Sequence, residues 1–385
     1  MSAIMTGQKT RIGEFGVTAT VPQNDCAGAL ANSLPTLLEE AEDEGYATGV
    51  ISTARITHAT PGATYAHVPN RNWEADITMP AEALEAGCRD IARQLVEFDH
   101  GDGIEVVLGG GRAAFLPKGT PDPEYPDKSG MRGDGRNLVD TWESGPGERH
   151  YVWNKGQFES LPMTGKVLGL FEPSHMQFDA DRNDTPTGEP SIAEMTAFAI
   201  QRLERASAAS GRGYFLMVEG GRIDHGHHAG NAYRSLTDAV AMAEAVQVAM
   251  NLTDEGHTLI VVTADHSHTL TMAGYPRRGN PILGKVVMPN GELAKDANGH
   301  PYTTLGYANG PGYRETLPDL TDVDTEAEDF LQVATLPMAS ETHGGEDVAA
   351  YARGPNAERM RGVMEQNRIY DVMRGALFPD KAAKR

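Results

Sequence analysis

The sequence predicts an α/β fold: one large, mostly parallel sheet with helices on both faces. Two patterns carry that expectation. Short apolar runs of strand length recur along the chain, and segments with helical periodicity separate them, which is the alternation that builds parallel sheets. The length of 385 residues is long for one typical domain, but a large open sheet can absorb it in a single unit.

Taken in order, the strand-like runs are "ATGVIST" near 47–53, "GIEVVLGGG" at 103–111, "GYFLMVEGG" at 213–221, "HTLIVVTADH" at 257–266 and "DVAAYARG" at 347–354. Each reads as a buried parallel strand. Among the helical segments, "SLPTLLEEAEDEG" opens on the candidate N-cap Ser33 and stops at Gly45. "AEALEAGCRDIARQLVEF", "SIAEMTAFAIQRLERASA" and "SLTDAVAMAEAVQVAMN" carry apolar residues at three- and four-residue spacing, the stripe that a helix turns toward a core. Two segments break the pattern. Residues 115–165 contain "LPKGTPDPEYPDKSGMRGDGR", rich in Pro, Gly and charge, and read as a surface excursion. Residues 275–340, with "GYPRRGNPILG" and the acidic "DLTDVDTEAEDF", read as an insertion between core elements. No internal repeat or low-complexity linker divides the chain, so residues 1–385 are expected to form one elaborated domain.

A composition of 39% hydrophobic and 23% charged residues is that of a soluble globular protein with a sizeable core. No apolar run approaches the roughly 18 residues that a membrane helix needs. The formal charge of -21 argues against nucleic acid as a recognition partner, because a phosphodiester backbone calls for basic patches. A small phosphate compound remains compatible, since bound metal ions can reverse the sign locally. The N-terminus "MSAIMTGQKTRIGEFG" has no basic-then-apolar signal pattern. Two cysteines, Cys26 and Cys88, are on composition alone compatible with two unrelated buried thiols.

Ligands of open α/β sheets sit beyond the carboxyl ends of the strands, and three strand ends here carry metal-ligating residues. "MVEGGRIDHGHHAGN" presents Glu219, Asp224, His225, His227 and His228 directly after the apolar "YFLM". Asp224 and His228 are four apart, so on a helical turn they share a face and can bind one ion. The run "LIVVTA" ends in Asp265 and His266, with His268 following, and "ETHGGED" presents His343 ahead of the last run. Singly these are ordinary: a lone loop His such as His343 is more often hydrogen-bonded than ligating. Their joint position at strand ends favours a metal site, and carboxylate plus imidazole without thiolate suits catalytic zinc. A second cluster, "ITHATPGATYAHVPNRNW", offers His58, Thr60, His67 and Arg71. A Thr hydroxyl with a carboxylate suits magnesium, and the planar fork of Arg71 could grip two phosphate oxygens. Taken alone, Arg71 and Trp73 read more simply as surface residues at a loop corner.

Together, "VEGGRIDHGHH", "VTADHSH", "ETHGGEDVA" and "THATPGATYAHVPNRNW" resemble the alkaline phosphatase family in order and spacing. "VLGGGR", "GTPDPEYP" and "LFEP" extend the resemblance over roughly residues 1–375, nearest to the animal enzymes and their bacterial relatives. The resemblance implies the family's α/β sandwich, with a crown-like insertion at 275–340, and hydrolysis of phosphate monoesters through a phosphoserine. By motif, Asp224, His228 and His343 would bind a first zinc, Asp265 and His266 a second, and Thr60 and Glu219 a magnesium. Arg71 would hold the phosphate, with His58 and His225 orienting ligands and waters. Animal relatives also carry calcium; the counterparts here are Glu124, the carbonyl of Phe171, Glu172 and Glu189, the last standing where the family has Asp. The resemblance further implies a Cys26–Cys88 disulfide, hence a periplasmic or extracellular location, and a homodimer.

One departure stands out. The family has a metal-bridging Asp on its first strand and a nucleophilic Ser in an Asp-Ser-Ala motif lying ahead of the position of Met1, and these 385 residues contain neither. Ser2 falls after the nucleophile's position. The expectation is a start assigned inside a longer gene product, leaving these residues inactive by themselves; a truncated form and a pseudoenzyme are the alternatives. Two other classes stay open at this point. A related two-metal phosphodiesterase or sulfatase would share the core but lack the Thr60, Glu219 and Arg71 combination, and a non-catalytic metal- or phosphate-binding protein would need no nucleophile.

Overall fold

The computed structural model describes residues 1–379. Four parallel pairings build a sheet from β1 (Ala47–Arg55), β2 (Val106–Gly110), β3 (Arg149–Val152), β4 (Lys166–Leu170) and β5 (Tyr214–Glu219), in the order β3-β4-β2-β1-β5. β1 lies inside the sheet and is buried along all but its last residue. That is why it reads as a near-continuous apolar run rather than an alternating one. Successive side chains nonetheless leave on opposite faces. Val50, Val107, Leu168 and Met217 pack with Leu37, Leu38, Ile91 and Phe115 on one side. Ile51, Val106, Leu108 and Val167 pack with Met195, Ala199, Leu203, Ala241 and Ala245 on the other. The sheet is therefore covered on both faces, as the alternation of elements implies.

Several elements differ from the sequence expectation. The first helix of this core begins at Leu37, capped by Thr36 in a reciprocal capping box with Glu39, and not at Ser33; the Thr-x-x-Glu pattern satisfies two orphan amides at once and wins over a lone Ser. The segment 81–96 is two helices, Ala81–Glu85 and Ile91–Val96. Gly87 at φ +90 turns the chain between them, and Asp90 caps the second. The excursion at 115–165 is not wholly peripheral, because it supplies β3 as the sheet's edge strand. β3 is short and polar, with a burial pattern that no run of apolar residues announces.

Downstream the strands are short: β6 (Ile260–Thr263), β7 (Ser267–His268), β8 (Leu270–Met272), β9 (Leu305–Gly310), β10 (Ala334–Pro337), β11 (His343–Gly344) and β12 (Ala350–Arg353). The segment 275–340 contributes β9 and β10, which form a separate sheet with β8. β6 and β12 correct the readings of 257–266 and 347–354 as buried parallel strands: they pair antiparallel with each other, β6 is only half-buried, and Tyr351 on β12 is 68% exposed. Among the described residues β5 pairs only with β1, and β6 only with β12. Between β5 and β6 runs a cleft of about 830 Å³, lined by apolar residues such as Leu216, Val218, Ile260 and Val262 and reaching Thr60, Glu219, Asp224, Asp265, His266 and His268.

Cys26 and Cys88 form a disulfide with a Cα separation of 5.9 Å across 62 residues, packed against Trp73, Met79 and Ala83. Closing a loop of that length removes chain entropy from the unfolded state, about 4 kcal/mol in the loop-closure treatment and typically 2–4 kcal/mol in practice. Reduction, or Cys26→Ser with Cys88→Ser, should lower the urea midpoint accordingly; an unchanged midpoint would mean the bridge contributes nothing. Among the described residues no helix is long and apolar enough to cross a membrane.

Candidate active site

Glu219 ends β5, and the short helix Arg222–His228 follows at once. Gly226 lets that helix lie against the long helix Ala232–Leu252: a Cβ at 226 would meet the Ser235 backbone nitrogen at 2.7 Å. The close approach fixes Asp224 and His228, one turn apart, over the carboxyl end of the sheet. His343 arrives on β11, which pairs with β7 so that His343 stands opposite His268. Asp265 and His266 occupy the turn between β6 and β7.

These residues converge on one oxygen. Asp224 Oδ1 lies 2.9 Å from His268 Nε2, 3.4 Å from His228 Nε2, 3.4 Å from His343 Nε2 and 4.0 Å from His266 Nε2. His343 Nε2 and His228 Nε2 are 3.2 Å apart, and His266 Nε2 is 3.6 Å from Asp265 Oδ2. The His266 and His343 rings stack at 3.6 Å between centroids. Asp224 Oδ1 and His268 Nε2 are both buried, and neither has a partner but the other. Burial pushes the Asp224 carboxyl up, but His268 and His228 outweigh it and hold the group well below the usual carboxylate range. Buried polar atoms are nearly always partnered, so a carboxylate oxygen ringed by imidazole nitrogens has the donor set of a metal centre. Asp224, His266, His268 and His343 can each offer an atom within 4.8 Å of the others.

The second cluster is built around the end of β1. Glu219 accepts hydrogen bonds from Ser52 and Thr60. Its carboxyl is pushed up to about 7, first by burial and then by the like charges of Asp265 and Asp224. An added cation would relieve both causes. His58, the residue before the helix Ala59–Tyr65, places Nε2 3.1 Å from Arg71 Nη2. Burial, then Arg71 and Arg55, push its pKa down to about 3, so it is a neutral acceptor that steers the guanidinium. His225 is likewise lowered to about 3, by burial and then Arg222. His67, by contrast, turns away to Glu39 and the Gly16 carbonyl and takes no part.

His268 was named in the sequence but given no role, two residues after His266 and therefore on the same face of an extended segment, and three further participants escape the reading. Glu341, two before His343, carried the same signal. Ser52 on β1 looks like any buried strand serine, and nothing in "LFEPSHM" announces His175, which packs against His225 at 4.1 Å and His58 at 5.1 Å.

The glutamates 124, 172 and 189 also meet. Glu189 Oε2 is buried without a partner, and its carboxyl is pushed up to about 9 by burial, then by Glu172 and Glu124. Tyr125 donates to Glu172 at 2.9 Å.

Fold and cluster define an α/β protein with a carboxylate–imidazole centre at the carboxyl end of a parallel sheet. The chain belongs to the alkaline phosphatase family, whose model matches residues 1–378. It is 44% identical over 383 residues to the tissue-nonspecific alkaline phosphatase of Gallus gallus, covering 97% of this chain and 71% of the relative. Against the alkaline phosphatase of Gadus morhua it is 43% identical over 382 residues, 97% of this chain and 77% of the relative. The Homo sapiens tissue-nonspecific isozyme is 41% identical over 383 residues, 97% and 71% of the two chains. Among solved structures, the alkaline phosphatase of the Antarctic bacterium TAB5 matches with a TM-score of 0.63 at 21% identity, over 98% of this chain and 82% of that one. The Thermus thermophilus enzyme gives 0.64 at 22%, over 98% and 78%. These last likenesses establish the fold. The family is one of metal-dependent hydrolases of phosphate monoesters.

Proposed function

We propose that this chain carries the metal- and phosphate-binding apparatus of a phosphate-monoester hydrolase, with Asp224, His228 and His343 holding one zinc, Asp265 and His266 a second, Thr60 and Glu219 a magnesium, and Arg71 the phosphate. The observation that carries the reading is the buried Asp224 Oδ1 ringed by four imidazole nitrogens. Nitrogen and carboxylate donors without thiolate suit zinc, whereas the hydroxyl and carboxylate set of Ser52, Thr60 and Glu219 suits a hard, oxygen-seeking ion. When bound, the ions supply Lewis acidity for activating a hydroxyl group and for offsetting charge on a transferring phosphoryl group. The chain's own residues do the positioning. Neutral His58 holds Arg71 by one guanidinium nitrogen, leaving the rest of its fork to face phosphate oxygens. Glu124, Glu172 and Glu189, with the Phe171 carbonyl, suit calcium, because only a cation lets three neighbouring carboxyls ionise together.

The disulfide fits an oxidising location, periplasmic or extracellular, and a homodimer remains the expected assembly. Elemental analysis of the purified protein tests the metal assignment: two zinc and one magnesium per chain are expected, and a chain without zinc after dialysis against micromolar zinc overturns it. Arg71→Ala should weaken inorganic phosphate binding to the zinc-loaded protein, measured by titration calorimetry. Loss of a charge-assisted contact costs about 1.5–3 kcal/mol, roughly ten- to a hundredfold in affinity. Unchanged phosphate affinity would remove Arg71 from the site.

A further inference from the structure

We propose that Glu341 is the positioning residue of this centre: through its carboxylate and its own carbonyl it fixes Nδ1 as a donor and sets the ring orientation of both His268 and His228, so that both Nε2 atoms face Asp224 Oδ1. The proposal rests on the reading that Asp224 and its imidazoles hold a metal ion. Glu341 is 1% exposed and lies between β10 and β11, two residues before His343. Its Oε1 accepts from the Thr269 amide at 2.5 Å and the Thr269 hydroxyl at 2.7 Å. Its Oε2 is 2.7 Å from His268 Nδ1. With two donors already on one oxygen, the carboxylate is an acceptor, and the ring nitrogen facing it must be the donor.

His268 Nε2 is the atom 2.9 Å from Asp224 Oδ1, so the ring spans two carboxylates and, carrying the only N–H groups of the three, holds Asp224 as Glu341 holds it. His228 is held from the same residue. Its Nδ1 is 2.6 Å from the Glu341 carbonyl oxygen, which can only accept, so in the neutral ring Nε2 is left bare to ligate. The Glu341 amide donates back to the His228 carbonyl at 2.9 Å, which locks the two segments together. One residue thus orients imidazoles from two separate parts of the chain.

The 275–340 segment braces the arrangement from outside. Tyr307 on β9 places its hydroxyl 2.8 Å from His227 Nδ1, and the His227 ring stacks on His268 at 4.6 Å. At the end of β9, Gly310 has φ +135, and a Cβ there would come within 3.1 Å of the Glu341 Cβ. The backbone of the insertion therefore lies directly against the residue that aims the two rings. Outer carboxylates of this kind raise metal affinity by ten- to a hundredfold by fixing the ligand's ring and tautomer.

The test compares Glu341→Gln, Glu341→Asp and a control, Glu346→Gln, with Asp224→Ala as a check on the underlying reading. Zinc affinity is measured by chelator competition, and the visible spectrum is recorded with cobalt(II) in place of zinc. Glu341→Gln should weaken one ion about ten- to a hundredfold and shift its cobalt bands, while stoichiometry at saturating metal and the other ion stay unchanged. Glu341→Asp should recover part of the loss, and Glu346→Gln should match the parent. Unchanged affinity overturns the proposal. So does equal loss at both ions, or complete loss of an ion at saturating metal, which would make Glu341 a ligand. If Asp224→Ala keeps every ion, the metal reading itself fails; if it loses one while Glu341→Gln loses nothing, only the positioning role fails. A second measurement needs no variant. In two-bond proton–nitrogen spectra of the zinc-loaded, histidine-labelled protein, His228 and His268 should both be protonated at Nδ1, and an unprotonated Nδ1 in either overturns the assignment.

Discussion

Asp224→Ala should yield a folded protein that has lost one zinc and most of its affinity for inorganic phosphate. Zinc sites with four protein ligands bind with about 10–16 kcal/mol, so each ligand supplies about 3–4 kcal/mol, a few hundredfold to a thousandfold in affinity. Asp224 should stand at the upper end. It is the carboxylate of its group, its Oδ1 is the point nearest to all four Nε2 atoms, and its ionised form is held in place by His268 and His228. Asp224→Asn separates charge from shape: it keeps the outline and should lose nearly as much. The metal-free variant should be less stable than the metal-free parent near neutral pH, because a carboxyl held below its usual range by neighbouring imidazoles contributes stability there. Loss of zinc with the fold intact, shown by an unchanged far-ultraviolet spectrum and one cooperative melt, is the signature of a ligand. Full zinc retention at micromolar metal would remove Asp224 from the site.

What could be read in the sequence follows from the range of the interactions. Asp224 and His228 were legible because one helical turn aligns them, and β1 because a strand buried on both faces needs a continuous apolar run. His343 contacts His228 across 115 residues of chain, and no local pattern encodes that meeting; the motif resemblance placed it. His268 and Glu341 are positioned by the β7–β11 register and by hydrogen bonds to Thr269. They are tertiary facts, although their two-residue spacing from His266 and His343 put them on a shared face. β3 is hidden because an edge strand buries little. β12 misled because "DVAAYARG" is apolar enough for a buried strand but pairs on a half-open edge. Thr36 was the recoverable error, since its capping-box partner Glu39 stands in plain view.

A polypeptide consisting of these 385 residues, loaded with zinc and magnesium, should hydrolyse phosphate esters no faster than the metal-loaded Asp224→Ala variant. The hydroxyls near the centre are committed elsewhere. Ser52 and Thr60 bond to Glu219, and Ser267 donates to Glu346 at 2.8 Å. Ser2 is buried and donates to the Glu14 carbonyl at 3.1 Å. Metal and phosphate binding without a positioned nucleophile leave only the residual catalysis of electrostatics, several orders of magnitude below a complete site. The outer edges of β5 and β6, facing a cleft of about 830 Å³, should also make this polypeptide prone to edge-to-edge association, visible as aggregates in light scattering. Turnover well above that of the metal-loaded Asp224→Ala variant would overturn the assignment, and its loss on Ser2→Ala would then make Ser2 the nucleophile.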